Sequence, residues 1–343
     1  MTRRTGMRFA QLRVIIISWL IIGFLIAVYD HLVMHMHNAA GAAADYSLSS
    51  SIIVNMVAAL VGAILGGSFL VFYINVKYQD KPYGYTVAAV TLSFIAIIIL
   101  ISFILGAIAY KDTARLFKNG MVWAVVVAIT QLLLQINSKF GQGIFWNLIK
   151  GKYNTPKEEK RIFMFLDINS STSIAEKLGD KRYHAFLKDF YADITNPILD
   201  NKGEIYQYVG DEVVVAWKYA DGIERSQCVR CFFDIKEHIG SLKEKYMMRY
   251  GIWPSFKAGM HCGMVVVGEI GNIKRDITYS GDVLNTTSRI QALCKEFKKD
   301  VIASAELIDE LQPLKKFDTL PLGSIKLRGK EKQIPLIALE RMV

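Results

Sequence analysis

The sequence predicts two structural parts: an all-α transmembrane bundle of four helices, followed by an α+β domain with a ferredoxin-like arrangement. Long uncharged apolar runs fill residues 1–137, whereas residues 161–343 carry a mixed, charged sequence. In this second part, strand-like and helix-like stretches alternate around one tight hairpin turn, a pattern typical of α+β folds. The stretch between the two parts, 138–160, is predicted to be an amphipathic connector.

Composition favours a membrane protein over a nucleic-acid-binding one. A chain of 343 residues is long enough for two units, and its formal net charge is +10. The basic residues crowd the flanks of the apolar runs, as expected where a protein meets an anionic membrane surface. No basic patch interleaved with aromatic residues is present, so the expected partner is the lipid bilayer and not nucleic acid.

All four cysteines lie in the second part of the chain. Cys228 and Cys231 form a lone CxxC pattern with no second pair and no nearby histidine. We expect buried, inert thiols in a reducing cytosol, and a metal or redox role is the alternative.

Four apolar stretches approach or exceed the roughly 20 residues that a helix needs to cross the hydrocarbon core. They cover residues 14–34, 52–74, 86–109 and 120–137. An even number of spans places both termini on one side, and basic residues crowd both flanks. The positive-inside rule therefore predicts cytoplasmic termini. Three basic residues between the third and fourth spans oppose this orientation: Lys111, Arg115 and Lys118.

Small and polar residues within the spans predict how the helices pack. Gly62 and Gly66 permit close approach of another helix, either in the same bundle or in a second chain. No Asp, Glu, Lys or Arg is expected deep in a span, which argues against an ion carrier. Four amide side chains are expected to hydrogen-bond between helices: Asn55, Asn75, Gln131 and Gln135.

Three histidines cluster at the outer end of the first span: His31, His35 and His37. His31 and His35 are four residues apart and share one helix face. They are either a polar interfacial cap or a site that binds metal or senses pH.

The connector 138–160 contains an apolar cluster ringed by lysines, which predicts a short interfacial helix that ends near Gly151 and Pro156. The cluster consists of Phe145, Trp146, Leu148 and Ile149. The connector either passes motion to the second part or is a passive spacer.

In the second part, the pattern predicts a strand, two helices, a hairpin, a long helix, two strands, another helix and several short strands. Strands are predicted at 162–168, 204–209, 212–217, 255–261 and 264–269, and the second and third of these form the hairpin. Helices are predicted at 173–178, 181–200, 222–248 and 282–297.

Two aspartates stand out at the ends of strand-like runs. Asp167 ends an apolar run and precedes a small polar turn, and Asp211 lies in the tight hairpin turn. Alone, the first is explained as a helix N-cap and the second as a turn residue. Together, beside a turn rich in free N–H groups, they can hold a divalent metal over a polyphosphate.

The stretch from about 161 to 341 resembles the catalytic domain of the class III adenylate and guanylate cyclases. Five motifs occur in order: FLDINSST, YQYVGDE, FKAGMHCG, TYSGDVLNTTSR and LRGK. With the apolar first part, the chain resembles membrane-anchored bacterial members, which implies an inner-membrane location with a cytoplasmic catalytic domain. The resemblance implies attack of the ribose 3′-oxygen on the α-phosphorus of a nucleoside triphosphate, with loss of pyrophosphate.

The resemblance also implies roles for the metal and phosphate ligands. Asp167, Asp211 and the Ile168 carbonyl would hold two Mg²⁺ or Mn²⁺ ions per active site, because hard oxygen ligands suit these metals. Thr172 would contact phosphate, although Ser171 replaces the usual aromatic residue before it.

Four further positions complete the implied catalytic and phosphate-binding set. Lys257 and Arg328 match positions that hold the polyphosphate, and Lys257 replaces the usual arginine. Asn285 and Arg289 lie four residues apart on one helix and so project from one face. In the family, this asparagine orients the ribose and this arginine stabilises transition-state charge.

Base selection rests on two positions. Gln207 stands where adenylate cyclases commonly carry Lys and guanylate cyclases Glu, and its amide can donate or accept. Thr278 stands where Asp, Thr or Ser marks adenylate cyclases. ATP is therefore the favoured substrate, with GTP as the alternative.

In the family, the active site forms between two catalytic domains, one supplying the aspartates and the other the base-, ribose- and charge-binding residues. A homodimer with two shared sites follows from the resemblance. Three rival interpretations fit less well: a diguanylate cyclase, a membrane sensor with a degenerate cyclase domain, and a small transporter with a regulatory tail.

Overall fold

The computed structural model describes residues 3–37, 48–78, 81–107, 113–140, 151–153, 155–273, 275–311 and 317–342. The chain divides into two compact units between residues 150 and 151. Residues 141–150 and 154 of the predicted connector, which include its whole apolar cluster at 145–149, lie outside the described residues.

The described part of the first unit consists of four helices, as predicted. They are α1 (Arg3–His37), α2 (Leu48–Gly62), α3 (Tyr83–Ala107) and α4 (Thr113–Phe140). The second helix continues through two π-helical segments, Ala63–Gly67 and Phe69–Ile74, to a last turn at Asn75–Lys77. Three helices are long and apolar enough to cross a membrane, within Arg3–Val33, Ser51–Lys77 and Phe117–Asn137. Within the described residues, α3 has a shorter apolar stretch, Tyr83–Ile97.

The glycine motif of the second span accommodates a tryptophan from the same chain. A Cβ atom at Gly62 or Gly66 would lie 3.5 or 3.8 Å from the indole of Trp19. Trp19 is buried, and its Nε1 donates to the Thr130 hydroxyl of α4 at 3.0 Å. Of the two interpretations of the glycine motif, the structure therefore supports packing within one bundle.

The polar residues of the spans follow the prediction in part. Gln131 of α4 donates from Nε2 to the Asn75 side-chain oxygen at 3.1 Å, which confirms an interhelical bond. Asn55 instead donates to the Ser51 carbonyl of its own helix at 2.9 Å, so an interhelical role for it was wrong. The side chains of His35 and His37 lie outside the described residues.

Asp30 is a buried charge near the end of the first predicted span, 14–34, and not deep within it. It lies within α1 and is only 3% exposed. Its carboxylate pairs with Lys118 of α4 and accepts a hydrogen bond from the Asn119 side chain at 3.3 Å. The Lys118 ammonium also lies 5.6 Å from the centre of the Tyr29 ring. The ion pair compensates the buried charge. It also gives Lys118 a structural role that is independent of the membrane orientation of the chain.

The second unit is an α+β domain built on one eight-stranded sheet. Its strands are β1 (Lys157–Ile168), β2 (Glu204–Val209), β3 (Glu212–Lys218), β4 (Phe256–Ile270), β5 (Asp276–Ser280), β6 (Val301–Ser304), β7 (Phe317–Lys326) and β8 (Gln333–Arg341). The order is β2-β3-β1-β4-β6-β8-β7, and β5 pairs with β4. All pairings are antiparallel except that of β4 with β6.

Helices separate most of these strands. They are α5 (Ser171–Leu178), α6 (Asp180–Asp200), α7 (Tyr219–Ile223), α8 (Gln227–Ser241), α9 (Lys243–Tyr250), α10 (Asp282–Phe297) and α11 (Ala305–Glu310). The predicted helix 282–297 matches α10, and the hairpin strands match β2 and β3 to within one residue.

The central strand β1 is buried on both faces. Met164 and Leu166 point into the core that includes α6 and α8, whereas Phe163 and Phe165 pack on the opposite face against Val265 of β4. This explains why β1 reads as a continuous apolar run and not as an alternating one. It also means that polar chemistry on β1 can occur only at its ends.

Three sequence expectations for this unit were wrong in detail. The two strands predicted at 255–261 and 264–269 form one strand, β4. The extended backbone continues at Gly263, where a Cβ atom would lie 2.7 Å from Val283. The helix predicted at 222–248 is interrupted, because Arg225 and Ser226 have positive φ angles of 51° and 55°. Strand β1 begins at Lys157, before the predicted 162, because it pairs with β4 as far as Val267.

The cysteine prediction is confirmed. All four cysteines are free and buried, and burial raises the pKa of Cys228 to about 12. A thiol with so high a pKa is a poor nucleophile at neutral pH.

We predict that Lys118→Met lowers the melting temperature of the full chain in detergent by roughly 3 °C or more, because it leaves the buried Asp30 carboxylate without a counter-charge. The double variant Asp30→Asn with Lys118→Met should recover most of this loss, since it removes the orphaned charge. Equal losses in the single and double variants would show that the pair does not stabilise the bundle.

Candidate active site

Two neighbouring strand ends bring the two predicted metal aspartates together. Asp167, near the end of β1, lies opposite Glu212 of β3 on one side and Lys257 of β4 on the other. Asp211 occupies the turn that precedes β3, and its carbonyl accepts a hydrogen bond from the Ile168 amide at 3.4 Å. The antiparallel pairing of β1 with β3 therefore sets the separation of the two carboxylates.

The Asp167 carboxylate is held by two side-chain donors. Its Oδ2 atom accepts from Lys257 Nζ at 2.7 Å and from Gln291 Nε2 at 3.1 Å. Lys257 was predicted from sequence to face a polyphosphate, and the structure places it in the same cluster as the aspartates. Gln291 of α10 was not predicted, because no motif marks a glutamine on the buried face of a helix.

The cluster carries more negative than positive charge, despite the presence of Lys257. Burial raises the pKa of Asp167, Asp211 acts in the same direction, and Lys257 opposes both. Burial, together with Asp167 and Asp211, raises the pKa of Glu212 to about 7. Each of these shifts reflects the cost of buried negative charge, which a divalent cation bound by Asp167 and Asp211 would reduce.

The predicted phosphate-contacting residue lies next to this cluster along the chain. Helix α5 begins at Ser171, and Ser170 before it has a positive φ angle of 56°. Thr172 is exposed in the first turn of α5, where backbone N–H groups have no partner within the helix. Such a helix start is suited to an anionic ligand.

The two predicted base-reading residues lie on strands joined by a pair of tyrosines. The Tyr279 amide donates to the Tyr206 hydroxyl at 3.3 Å, and their rings are 4.7 Å apart. Gln207 follows Tyr206 at an irregularity in β2 and is exposed. Thr278 precedes Tyr279 in β5, and its hydroxyl oxygen is buried without a hydrogen-bond partner among the described residues.

The remaining predicted residues gather at helix α10 and the turn before β8. Asn285 is exposed and Arg289 is partly exposed on α10. A Cβ atom at Gly329 would lie 3.5 Å from the Arg289 guanidinium, so Arg289 contacts the turn that carries Arg328.

Helix α10 presents these residues away from the aspartates. Gln291 points toward Asp167 and is buried. At about 100° per residue, Arg289 projects roughly 200° around the helix from Gln291, and Asn285 projects on the same side as Arg289. One copy of the chain therefore carries two separate groups of predicted site residues, one acidic and one containing asparagine and arginine, which we call half-sites.

This chain belongs to the adenylate and guanylate cyclase family. Residues 154–338 match the adenylate and guanylate cyclase catalytic domain. The match covers more than half of the chain and includes every strand that positions the two half-sites.

Similar proteins agree with this assignment. Adenylate cyclase 2 of Rhizobium meliloti (strain 1021) is 35% identical over 222 residues, which are 64% of this chain and 61% of that protein. An adenylate cyclase of Anabaena cylindrica is 26% identical over 180 residues, 50% of this chain and 35% of that protein. This chain thus spans less than two thirds of the length of these relatives. The fold resembles a bacterial light-regulated adenylyl cyclase structure with a TM-score of 0.55 and 19% identity, covering 64% of each chain.

The acidic half-site of the cyclase domain fits divalent metal bound together with a nucleotide. Among the described residues, no group of three or more His, Cys, Asp or Glu side chains converges as a metal centre built by protein alone. Mg²⁺ commonly binds through one or two carboxylates and completes its coordination with substrate phosphates and water. Asp167 and Asp211 supply that kind of donor set.

The Tyr191 side chain of α6 supports the hairpin turn of the cyclase domain. The Tyr191 hydroxyl donates to the Gly210 carbonyl at 2.7 Å, directly before Asp211. Burial and the Asp211 carboxylate raise the pKa of Tyr191 and of Tyr183. Neither tyrosine was predicted as a site residue, because the contacts form between elements distant in sequence.

We predict that Tyr191→Phe speeds amide hydrogen exchange at residues 209–212 and lowers the free energy of unfolding by about 1 kcal/mol, since the Gly210 carbonyl loses its donor. The matched control is Tyr219→Phe, which also removes a tyrosine hydroxyl but lies beside Lys160, away from the hairpin turn. Unchanged exchange at the turn in Tyr191→Phe would contradict the supporting role.

Proposed function

We propose that this protein is a membrane-bound adenylate cyclase that converts ATP into 3′,5′-cyclic AMP and pyrophosphate at two sites shared by a homodimer. The main support for the proposal is that the acidic half-site and the half-site with Asn285 and Arg289 are separated on one chain. Asp167 is bonded to one side of α10, while Asn285 and Arg289 project from the other. Because these groups project from different sides of one helix, we infer that the second half of each site comes from a second copy.

The reaction forms a bond between the ribose 3′-oxygen and the α-phosphorus and breaks the bond from that phosphorus to the bridging oxygen of pyrophosphate. Two Mg²⁺ or Mn²⁺ ions, when bound, would lower the pKa of the 3′-hydroxyl and neutralise the leaving pyrophosphate. Asp167, Asp211 and the Ile168 carbonyl would hold these ions. The 3′-hydroxyl would release its proton to water as the new bond forms.

The basic residues of both half-sites would bind the triphosphate. Lys257 neutralises Asp167 in the described structure. It becomes available to phosphate oxygens once that carboxylate is neutralised by another positive charge. Arg328 and the start of α5 with Thr172 would hold the outer phosphates, and Arg289 from the partner would stabilise charge on the α-phosphoryl group.

ATP is proposed over GTP because Thr278 stands where Asp, Thr or Ser marks adenylate cyclases. Its buried hydroxyl, which has no partner among the described residues, can donate to or accept from the edge of a base. Gln207 is compatible with either base, so a guanylate cyclase is the second candidate. The curated relatives described above are adenylate cyclases, which favours ATP.

The membrane unit is proposed to anchor the catalytic domain at the cytoplasmic face of a bacterial inner membrane. The three apolar helices long enough to span a bilayer support anchoring. Basic residues at both flanks of the bundle support a cytoplasmic position for both ends. A sensor with an inactive cyclase domain is the alternative of a different class, and it is disfavoured because both aspartates and the Asn285–Arg289 pair are retained.

We predict that Asp167→Ala and Asp211→Ala each abolish product formation by the full chain in nanodiscs, because the metal-binding carboxylates are lost. Co-expression of Asp211→Ala with Arg289→Ala should restore about a quarter to a half of the activity, since one composite site then contains only native residues. Failure of this mixture, when co-purification shows mixed dimers, would exclude the shared-site arrangement and leave the reaction itself in place.

We predict that the double variant Gln207→Glu with Thr278→Cys shifts the ratio of ATP to GTP turnover toward GTP by at least about tenfold. The reason is that the Glu carboxylate accepts hydrogen bonds from the N–H groups of guanine. Products are identified by mass after incubation of the full chain with Mn²⁺ and an equal mixture of both nucleotides. An unchanged ratio would show that these two residues do not contact the base.

A further inference from the structure

Gln291 is a buried glutamine that joins the two half-sites carried by one chain. It is 6% exposed, and its Nε2 atom donates to Asp167 Oδ2 at 3.1 Å. It lies on α10, the helix whose other side carries Asn285 and Arg289. No other hydrogen bond in the described structure runs from α10 to either metal-binding aspartate.

The helix has little freedom to move independently of the sheet at this point. A Cβ atom at Gly259 of β4 would lie 2.3 Å from the Gln291 backbone nitrogen, so the helix backbone rests directly on the strand. One turn further, the Cys294 thiol contacts the Ala258 carbonyl at 3.3 Å. Close-packed backbones transmit small displacements, because no side chain is present to absorb them.

The hydrogen bond also determines the orientation of the Asp167 carboxylate. Lys257 and Gln291 donate to the same oxygen, Oδ2. The Lys257 ammonium is a mobile point charge that the triphosphate would draw away, whereas the Gln291 amide is neutral and enclosed. When Lys257 leaves, Gln291 is the donor that keeps Oδ2 in place and Oδ1 directed toward a metal ion.

We propose that Gln291 is a positioning residue that orients Asp167 for metal binding and couples the two active sites of the dimer. The coupling rests on the proposed shared-site homodimer, whereas the orientation of Asp167 does not. In that dimer, Asp167 of one chain serves one site and Asn285 with Arg289 of the same chain serves the other. A shift of Asp167 in the first site is passed through Gln291 and α10 to Arg289 in the second.

The positioning role is tested with Gln291→Met, which keeps the length and the apolar volume of the side chain and removes the donor. Binding of Mn²⁺ to the full chain in nanodiscs is measured by electron paramagnetic resonance, with α,β-methylene-ATP present so that no turnover occurs. We expect binding to weaken about tenfold or more, because partners that orient a metal ligand contribute about that much to affinity. Unchanged Mn²⁺ affinity would overturn the positioning role.

Gln227→Met is the matched control, because Gln227 is a similarly buried glutamine on a different helix, α8. It should lower thermal stability by a similar amount while leaving Mn²⁺ affinity unchanged. An equal loss of Mn²⁺ affinity in the control would show that Gln291→Met acts by destabilising the fold in general. That outcome would also overturn the proposal.

The coupling is tested in heterodimers with one active site. One chain carries Asp211→Ala and supplies Asn285 and Arg289, and its partner carries Arg289→Ala and supplies the aspartates. Gln291→Met in the aspartate-supplying chain should raise the Mn²⁺ concentration required for half-maximal rate about tenfold. Gln291→Met in the other chain should lower kcat several-fold with the Mn²⁺ requirement unchanged.

These outcomes separate the proposal from the function on which it rests. If the parent heterodimer is inactive, the shared-site function fails, while the Mn²⁺ binding result for Gln291 still stands. If the parent is active and Gln291→Met in the Asn285-supplying chain changes nothing, the coupling is wrong and Gln291 acts on Asp167 alone.

Discussion

The pairing of β1 with β3 on one side and β4 on the other is the constraint on which the catalytic unit depends. It places Asp167 between Glu212 and Lys257 and brings the Asp211 turn against Ile168. The strand is buried on both faces, so its polar chemistry is confined to the end where apolar packing stops. Burial, together with the neighbouring carboxylates, raises the pKa of Asp167 and of Glu212, and the accumulated negative charge makes the site suited to a divalent cation.

Helix periodicity explains why the predicted site residues of one chain fall into two half-sites. Residues 289 and 291 are two positions apart, so they must project to nearly opposite sides of α10. One side seals the domain through Gln291 and Cys294, and the other side remains available with Asn285 and Arg289. A single helix thus serves both the core of its own domain and, in the proposed dimer, the active site of a partner.

The membrane unit is organised by specific polar and aromatic contacts within an otherwise apolar bundle. Trp19 fits against Gly62 and Gly66 and donates to Thr130, so it joins α1, α2 and α4. The Asp30–Lys118 pair joins α1 and α4 at a second point. In a bilayer, apolar side chains do not distinguish helix neighbours from lipid, so such contacts determine which helices pack together.

The sequence by itself determined the two-part organisation, the four apolar helices, the cyclase family and the hairpin that carries Asp211. These features are encoded locally, in runs of hydrophobicity, in turn residues and in ordered motifs. The roles of Thr172, Gln207, Lys257, Thr278, Asn285, Arg289 and Arg328 stay predictions, as do those of the three metal-ligand positions.

Only the tertiary structure decided how distant segments meet. It identified Gln291 and Tyr191 as neighbours of the aspartates, Trp19 as the partner of the glycine motif, and Asp30 as a paired charge. It also showed that β4 is a single strand, because Gly263 packs against Val283 and forms no turn. Each of these contacts joins residues far apart along the chain, and their geometry is set by packing and not by local sequence preference.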